Sequence, residues 1–253
     1  MTALPCADTL RVLLLDADGS LFPSEAPAFD ASADVTNRFL TSLGVPARYT
    51  AAHLLATTTG KNFRTTAQDL AAAHGRTVEP VLLDHWVAEE KRVVGAHLGR
   101  VLRPDPAVRE PLQRLARRYR PAAVSSSALS RLDECFRATG LAELIPPARR
   151  YSAEDSLPVP AGKPDPAVYR YALEQLGVPA GRAIAVEDSV PGARSAVAAG
   201  IATAGNLTFV PEPERAQRGR ELRESGAGTL VTSWAEFEEL LPEGAPAGAT
   251  SLL

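Results

Sequence analysis

Two acids one residue apart, Asp16 and Asp18, close the apolar run in LLLDADGSLFPSE at residues 13–25. Carboxylates this near repel one another, so a buried strand that ends in them needs positive charge close by. Further along, the run AAV (122–124) stops at Ser125, and AIAV (183–186) stops at Glu187 and Asp188. If these runs are neighbouring parallel strands, their carboxyl ends meet at the edge where open parallel sheets bind ligands. The carboxylates gathered there call for a hard divalent cation with oxygen ligands, magnesium by preference. Lys163, in the turn GKPDP, can supply a second positive charge. The only other lysines are Lys61 and Lys91 in a chain whose basic residues are otherwise arginine. A lysine kept against that bias is a hint that its site requires one, since the two cations are not interchangeable.

The elements that must position these groups are visible as short apolar runs: RVLLL (11–15), AAV, AIAV, IATAG (201–205) and TLV (229–231). Helical patterns separate several of them. In REPLQRLARRY (109–119), Leu112, Leu115 and Tyr119 share one helical face. In KPDPAVYRYALEQLG (163–177), Asp165 can cap a helix whose stripe is Val168, Ala172 and Leu176, with Gly177 ending it. VPGARSAVAAG (190–200) repeats that grammar. Near-continuous apolar strands alternating with helices predict a parallel sheet covered on both faces. Residues 24–97 break the alternation with helix-like patterns at 35–44, 63–75 and 82–98 and no convincing strand. The expected architecture is α/β: a Rossmann-like core of residues 1–23 and 98–253, with a small α-helical cap domain of residues 24–97 inserted after the first strand. The Gly/Ala/Pro-rich residues 242–253 read as a flexible tail.

Hydrophobic residues make up 45% of the 253, enough for a sizeable core, and charged residues 23%. A formal net charge of −3 argues against a general nucleic-acid binder. The basic cluster RRYR (117–120) reads as a solvated helix face. Two distant cysteines, Cys6 and Cys135, fit a reducing cytoplasm. With no apolar run long enough to span a bilayer and no signal-peptide pattern, a cytoplasmic chain without membrane attachment is expected, as a monomer or weak homodimer.

Taken in order, DADGS (16–20), Ser125 in AVSSS, Lys163 in GKPDP and EDSVPGARSAVAAG (187–200) resemble the four motifs of the haloacid dehalogenase superfamily of phosphotransferases. The helical interval resembles the cap of that superfamily's β-phosphoglucomutase-like branch. The resemblance implies a small phosphorylated substrate and a role for each motif. Asp16 would be the nucleophile that forms an aspartyl-phosphate, and Asp18 the general acid and then base. Ser125 would bind a phosphoryl oxygen, and Lys163 would offset charge on Asp16 and the phosphoryl group. Magnesium would be held by Asp16, the backbone carbonyl of Asp18 and Asp188, with Glu187 nearer or bridged by water. Gly19, Ser20 and Ser126 are expected beside the substrate, and Lys61 and Arg64 of the cap at its remote end. The family usually carries Thr where Ser20 stands, which retains the hydroxyl and loses a methyl.

Other readings fare worse. As a calcium loop, DADGS would need a helix before it, and a strand pattern precedes it. TTTGKN (57–62) fails as a phosphate loop, with Leu55 at the first glycine position and Asn62 at the hydroxyl position. All four histidines fall in the helical interval, without the motif of a serine hydrolase or a zinc protease. His85 and Glu89 read as a helix-surface pair, and Trp86 and Trp234 as packing residues. A magnesium-dependent phosphomonoester hydrolase is therefore the leading expectation. A hexose phosphate mutase is the enzymatic alternative, and a non-catalytic metabolite-binding protein on the same scaffold is the alternative of another class.

Overall fold

A computed structural model describes residues 9–58 and 62–241. The chain separates into two compact units, Met1–Pro23 with Arg103–Leu253, and Ser24–Leu102. Lys61 and the expected tail at 242–253 lie outside the described residues.

The first unit opens with β1 (Val12–Leu15). The second contains α1 (Glu25–Ser42), α2 (Ala51–Thr58), α3 (Phe63–Ala73) and α4 (Pro80–Val101). The chain then returns to the first unit through α5 (Pro106–Leu115), β2 (Arg120–Ser125), α6 (Leu129–Ala138), β3 (Arg150–Ser152) and α7 (Ala167–Leu176). It continues with β4 (Ala183–Glu187), α8 (Val190–Ala198), β5 (Ala202–Asn206), α9 (Glu212–Glu224), β6 (Thr229–Val231) and α10 (Trp234–Leu240). All strand pairs are parallel, in the order β3-β2-β1-β4-β5-β6. This is the Rossmann-like α/β sheet the apolar runs predict.

Every residue of β1 and β4 is buried, as a strand covered on both faces must be. Val12 and Leu14 pack with Val124 of β2, Ala185 of β4 and the Val168–Ala172 face of α7. Asp165 caps α7 from outside, its Oδ1 accepting the Ala167 N–H at 2.8 Å. From β1 the sheet grows one way through β2 and β3, and the other way through β4, β5 and β6. The reversal lies between β1 and β4, which makes the carboxyl ends of those two strands the place for a ligand crevice.

Four sequence expectations need correction here. The helix read through Tyr119 stops at Leu115, and Tyr119 is buried in the turn that feeds β2. RRYR is consequently no helix face: Arg117 and Arg118 follow α5, and Arg120 opens β2. The boundary drawn at residue 97 falls inside α4, which runs to Val101 because Val94 and Leu98 continue its buried stripe. Within the second unit, Val35, Phe39, Leu40, Leu83 and Trp86 form a separate core. Glu89 there pairs with Arg38 at 2.8 Å and Arg92 at 2.9 Å, so its partners are arginines on two helices and not His85.

Candidate active site

Asp16 follows the last residue of β1, and its backbone N–H donates to the Val186 carbonyl at 3.0 Å, which locks it beside the end of β4. Ser125 ends β2, Glu187 ends β4, and Asp188 follows. The sheet therefore delivers Asp16, Ser125, Glu187 and Asp188 to one edge, and all four are buried.

Lys163 enters from the turn before α7. Its ammonium donates to Asp16 Oδ1 at 2.5 Å, Glu187 Oε1 at 2.6 Å and the Val124 carbonyl at 2.8 Å. Burial by itself would favour a neutral lysine, but the two carboxylates reverse that and hold its pKa above the ordinary value. Burial raises Asp16, against the opposing pull of Lys163. Burial likewise pushes Glu187 up to about 7, despite the nearby ammonium. Even with Lys163 in place, the site is short of positive charge.

The carboxylates left over are arranged so that they could hold a metal ion. Asp16, Glu187 and Asp188 each present a carboxylate oxygen, all within 4.8 Å of one another. Glu187 Oε2 is buried and has no hydrogen-bond partner among the described residues. Gly19 has φ 78°, and a Cβ there would stand 2.3 Å from Asp188 Oδ2, so a side chain at this position would displace the carboxylate. Closely set, buried, all-oxygen ligands suit magnesium.

Asp18 is held by hydroxyls and a guanidinium. Its Oδ2 accepts from Ser127 Oγ at 2.7 Å and from Ser125 Oγ at 3.3 Å, and its Oδ1 accepts from Arg131 Nη2 at 3.0 Å. Ser126 lies nearby, its Oγ accepting the Lys163 N–H at 3.4 Å. A buried carboxylate beside an ammonium, a second carboxylate two residues on, and hydroxyls around them make a set suited to phosphoryl transfer.

The comparison with known proteins decides the family. The sequence model of the haloacid dehalogenase-like hydrolases matches residues 10–200. This chain belongs to that family. Among solved haloacid dehalogenase-like proteins, one from Agrobacterium tumefaciens is 26% identical, with TM-score 0.66, covering 92% of this chain and 97% of that one. A family hydrolase from Deinococcus radiodurans, solved with bound phosphate and sodium, is 27% identical, with TM-score 0.62, covering 94% and 100%. Protein CbbY of Cereibacter sphaeroides is 41% identical over 75 residues, which are 30% of this chain and 29% of that protein's length.

Three further residues singled out in the sequence of this haloacid dehalogenase-like hydrolase have defined partners. Ser20 is fully buried. Its Oγ accepts from Asn206 Nδ2 at 3.0 Å, and its carbonyl accepts from Trp234 Nε1 at 3.1 Å. It braces the loop from within and has no face for substrate. The Gly19 N–H donates to the Phe22 carbonyl at 2.9 Å, so it too serves the loop. In the helical unit, Arg64 pairs with Asp84 at 2.5 Å. The reading also missed Ser127, Arg131 and Tyr169. Ser127 was available as the third hydroxyl of AVSSS. Tyr169 adjoins the α7 stripe and donates its hydroxyl to Glu187 Oε1. Arg131, on a polar helix, carries no sequence signal that separates it from a surface arginine.

Proposed function

We propose that this hydrolase is a magnesium-dependent phosphatase that cleaves the monoester of a small phosphorylated metabolite through an aspartyl-phosphate at Asp16. The observation that carries the reading is the placement of Asp16: buried, 2.5 Å from the Lys163 ammonium, with Glu187 and Asp188 oxygens within metal-sharing reach. The phosphate bound to the Deinococcus hydrolase supports it.

In the first half of the reaction, an Asp16 oxygen bonds to phosphorus as the bond to the leaving oxygen breaks, and Asp18 gives that oxygen a proton. In the second half, water bonds to phosphorus, the Asp16–phosphorus bond breaks, and Asp18 takes the water's proton. Ser125 and Ser126 donate to phosphoryl oxygens. Lys163 fixes the attacking carboxylate and offsets the charge between it and the phosphoryl group. Asp16, Asp188, the Asp18 carbonyl and Glu187 would hold magnesium, which would supply positive charge against the phosphoryl group. Two distant cysteines support a reducing, cytoplasmic setting, and among the described residues no helix is long and apolar enough to cross a membrane.

The test is turnover of p-nitrophenyl phosphate with magnesium, with and without chelator, for wild type, Asp16→Asn and Asp18→Ala. Activity should require the metal and vanish in Asp16→Asn. Full turnover in both variants would overturn the assignment.

A further inference from the structure

Asp18 is gripped by the exit of β2 and the first turn of α6. Ser125 and Ser127 donate to Oδ2, and Arg131 donates to Oδ1. Arg131 is itself fixed in the helix by its N–H to the Ala128 carbonyl at 3.1 Å. The Asp18 and Arg131 side chains are only 17% and 23% exposed, so the pair is partly shielded from solvent screening. Charge-assisted hydrogen bonds of this kind are roughly twice as strong as neutral ones.

The three donors differ in permanence. Ser125 Oγ, which also accepts the Ser127 N–H at 3.0 Å, is the group expected to turn its hydrogen towards a phosphoryl oxygen. When it does, Asp18 keeps Ser127 and Arg131. A guanidinium recognises the ionised carboxylate, which is the form that must accept a proton from water. We infer that Arg131 is a positioning residue for the second half-reaction: it acts through Asp18, aiming the carboxylate so that it can take a proton from the water that attacks the Asp16 phosphoryl group. The inference rests on the phosphatase reading and adds to it a residue outside the four motifs.

The step balances without any further reactant. The water oxygen bonds to phosphorus, the bond from phosphorus to the Asp16 oxygen breaks, and one water proton passes to Asp18. Inorganic phosphate and a restored carboxylate result.

Pre-steady-state hydrolysis of p-nitrophenyl phosphate separates the two halves, because nitrophenolate leaves without needing a proton. In Arg131→Gln the burst of nitrophenolate should keep its rate, while steady-state turnover falls on the order of tenfold to a hundredfold. Phosphoenzyme should accumulate in acid-quenched samples. Arg131→Lys, which keeps a charge near Asp18, should recover part of the loss. A merely structural role would lower burst amplitude and turnover together, and that outcome overturns the inference, as does unchanged turnover. Wild type and Asp16→Asn run in parallel distinguish the failures. An active wild type with an inert Asp16→Asn keeps the phosphatase reading intact whatever Arg131→Gln does.

Discussion

Replacing Glu187 with glutamine should flatten the pH dependence of stability in the metal-free protein. Glu187 is fully buried, and burial is the largest cause lifting its pKa from 4.5 to about 7, with Lys163 opposing and Asp16 reinforcing. Between those values the folded protein keeps a proton that the unfolded chain has lost. The stabilising contribution is therefore complete below 4.5 and disappears as pH rises through about 7. At about 1.4 kcal/mol per pKa unit, the change across the interval is about 3 kcal/mol. In Glu187→Gln nothing titrates at this position. Lys163 and Tyr169 can still donate to the amide oxygen, and any fixed effect of the amide nitrogen near Gly192 is the same at every pH. Asp16 is raised by burial in both proteins. Urea unfolding in chelator, repeated across the interval, should show the variant gaining about 3 kcal/mol on wild type as pH rises. Parallel curves would refute the claim that an excess of buried negative charge is what the site must offset.

Three further outcomes follow from the same geometry. Lys163→Met leaves Asp16 and Glu187 buried without the ammonium now 2.5 and 2.6 Å from them. Breaking such a pair should cost about 3–5 kcal/mol in urea unfolding with chelator, and magnesium should restore part of it; a variant as stable as wild type would contradict the ion triad. A Cβ at residue 192 would stand 1.7 Å from Glu187 Oε2, so Gly192→Ala must displace that carboxylate. Magnesium affinity measured by calorimetry should fall on the order of tenfold to a hundredfold, and an unchanged affinity would remove Glu187 from the metal's surroundings. Trp234→Phe removes the Nε1 donor to the Ser20 carbonyl and should lower stability by about 1–3 kcal/mol, read from the urea midpoint, with no loss expected if that bond is absent.

The sheet and most of its functional edge were legible because the apolar runs stop abruptly. RVLLL, AAV and AIAV each end in a polar residue that no core would tolerate without a task. β3 was not legible, since Arg150–Ser152 is three residues long and begins with a buried arginine. That arginine is accommodated by the Phe136 ring and by Asp133, partners that lie in α6. α6 was missed as well, because Leu132, Cys135 and Phe136 make a narrow stripe in an otherwise polar segment. Side-chain direction defeated the reading of Ser20: a hydroxyl in a motif loop can face substrate or the interior, and here Asn206, 186 positions away, draws it inward. The same limit hid Arg131, whose partner Asp18 is 113 positions distant.

The central claim, covalent catalysis by Asp16, is tested most directly by trapping. Enzyme turning over a phosphomonoester with magnesium should be quenched with borohydride, which reduces an acyl phosphate to an alcohol, and then digested for peptide mass spectrometry. The account predicts homoserine at position 16 in wild type and none in Asp16→Asn. Active enzyme with an unmodified Asp16, or with label on another residue, would contradict it.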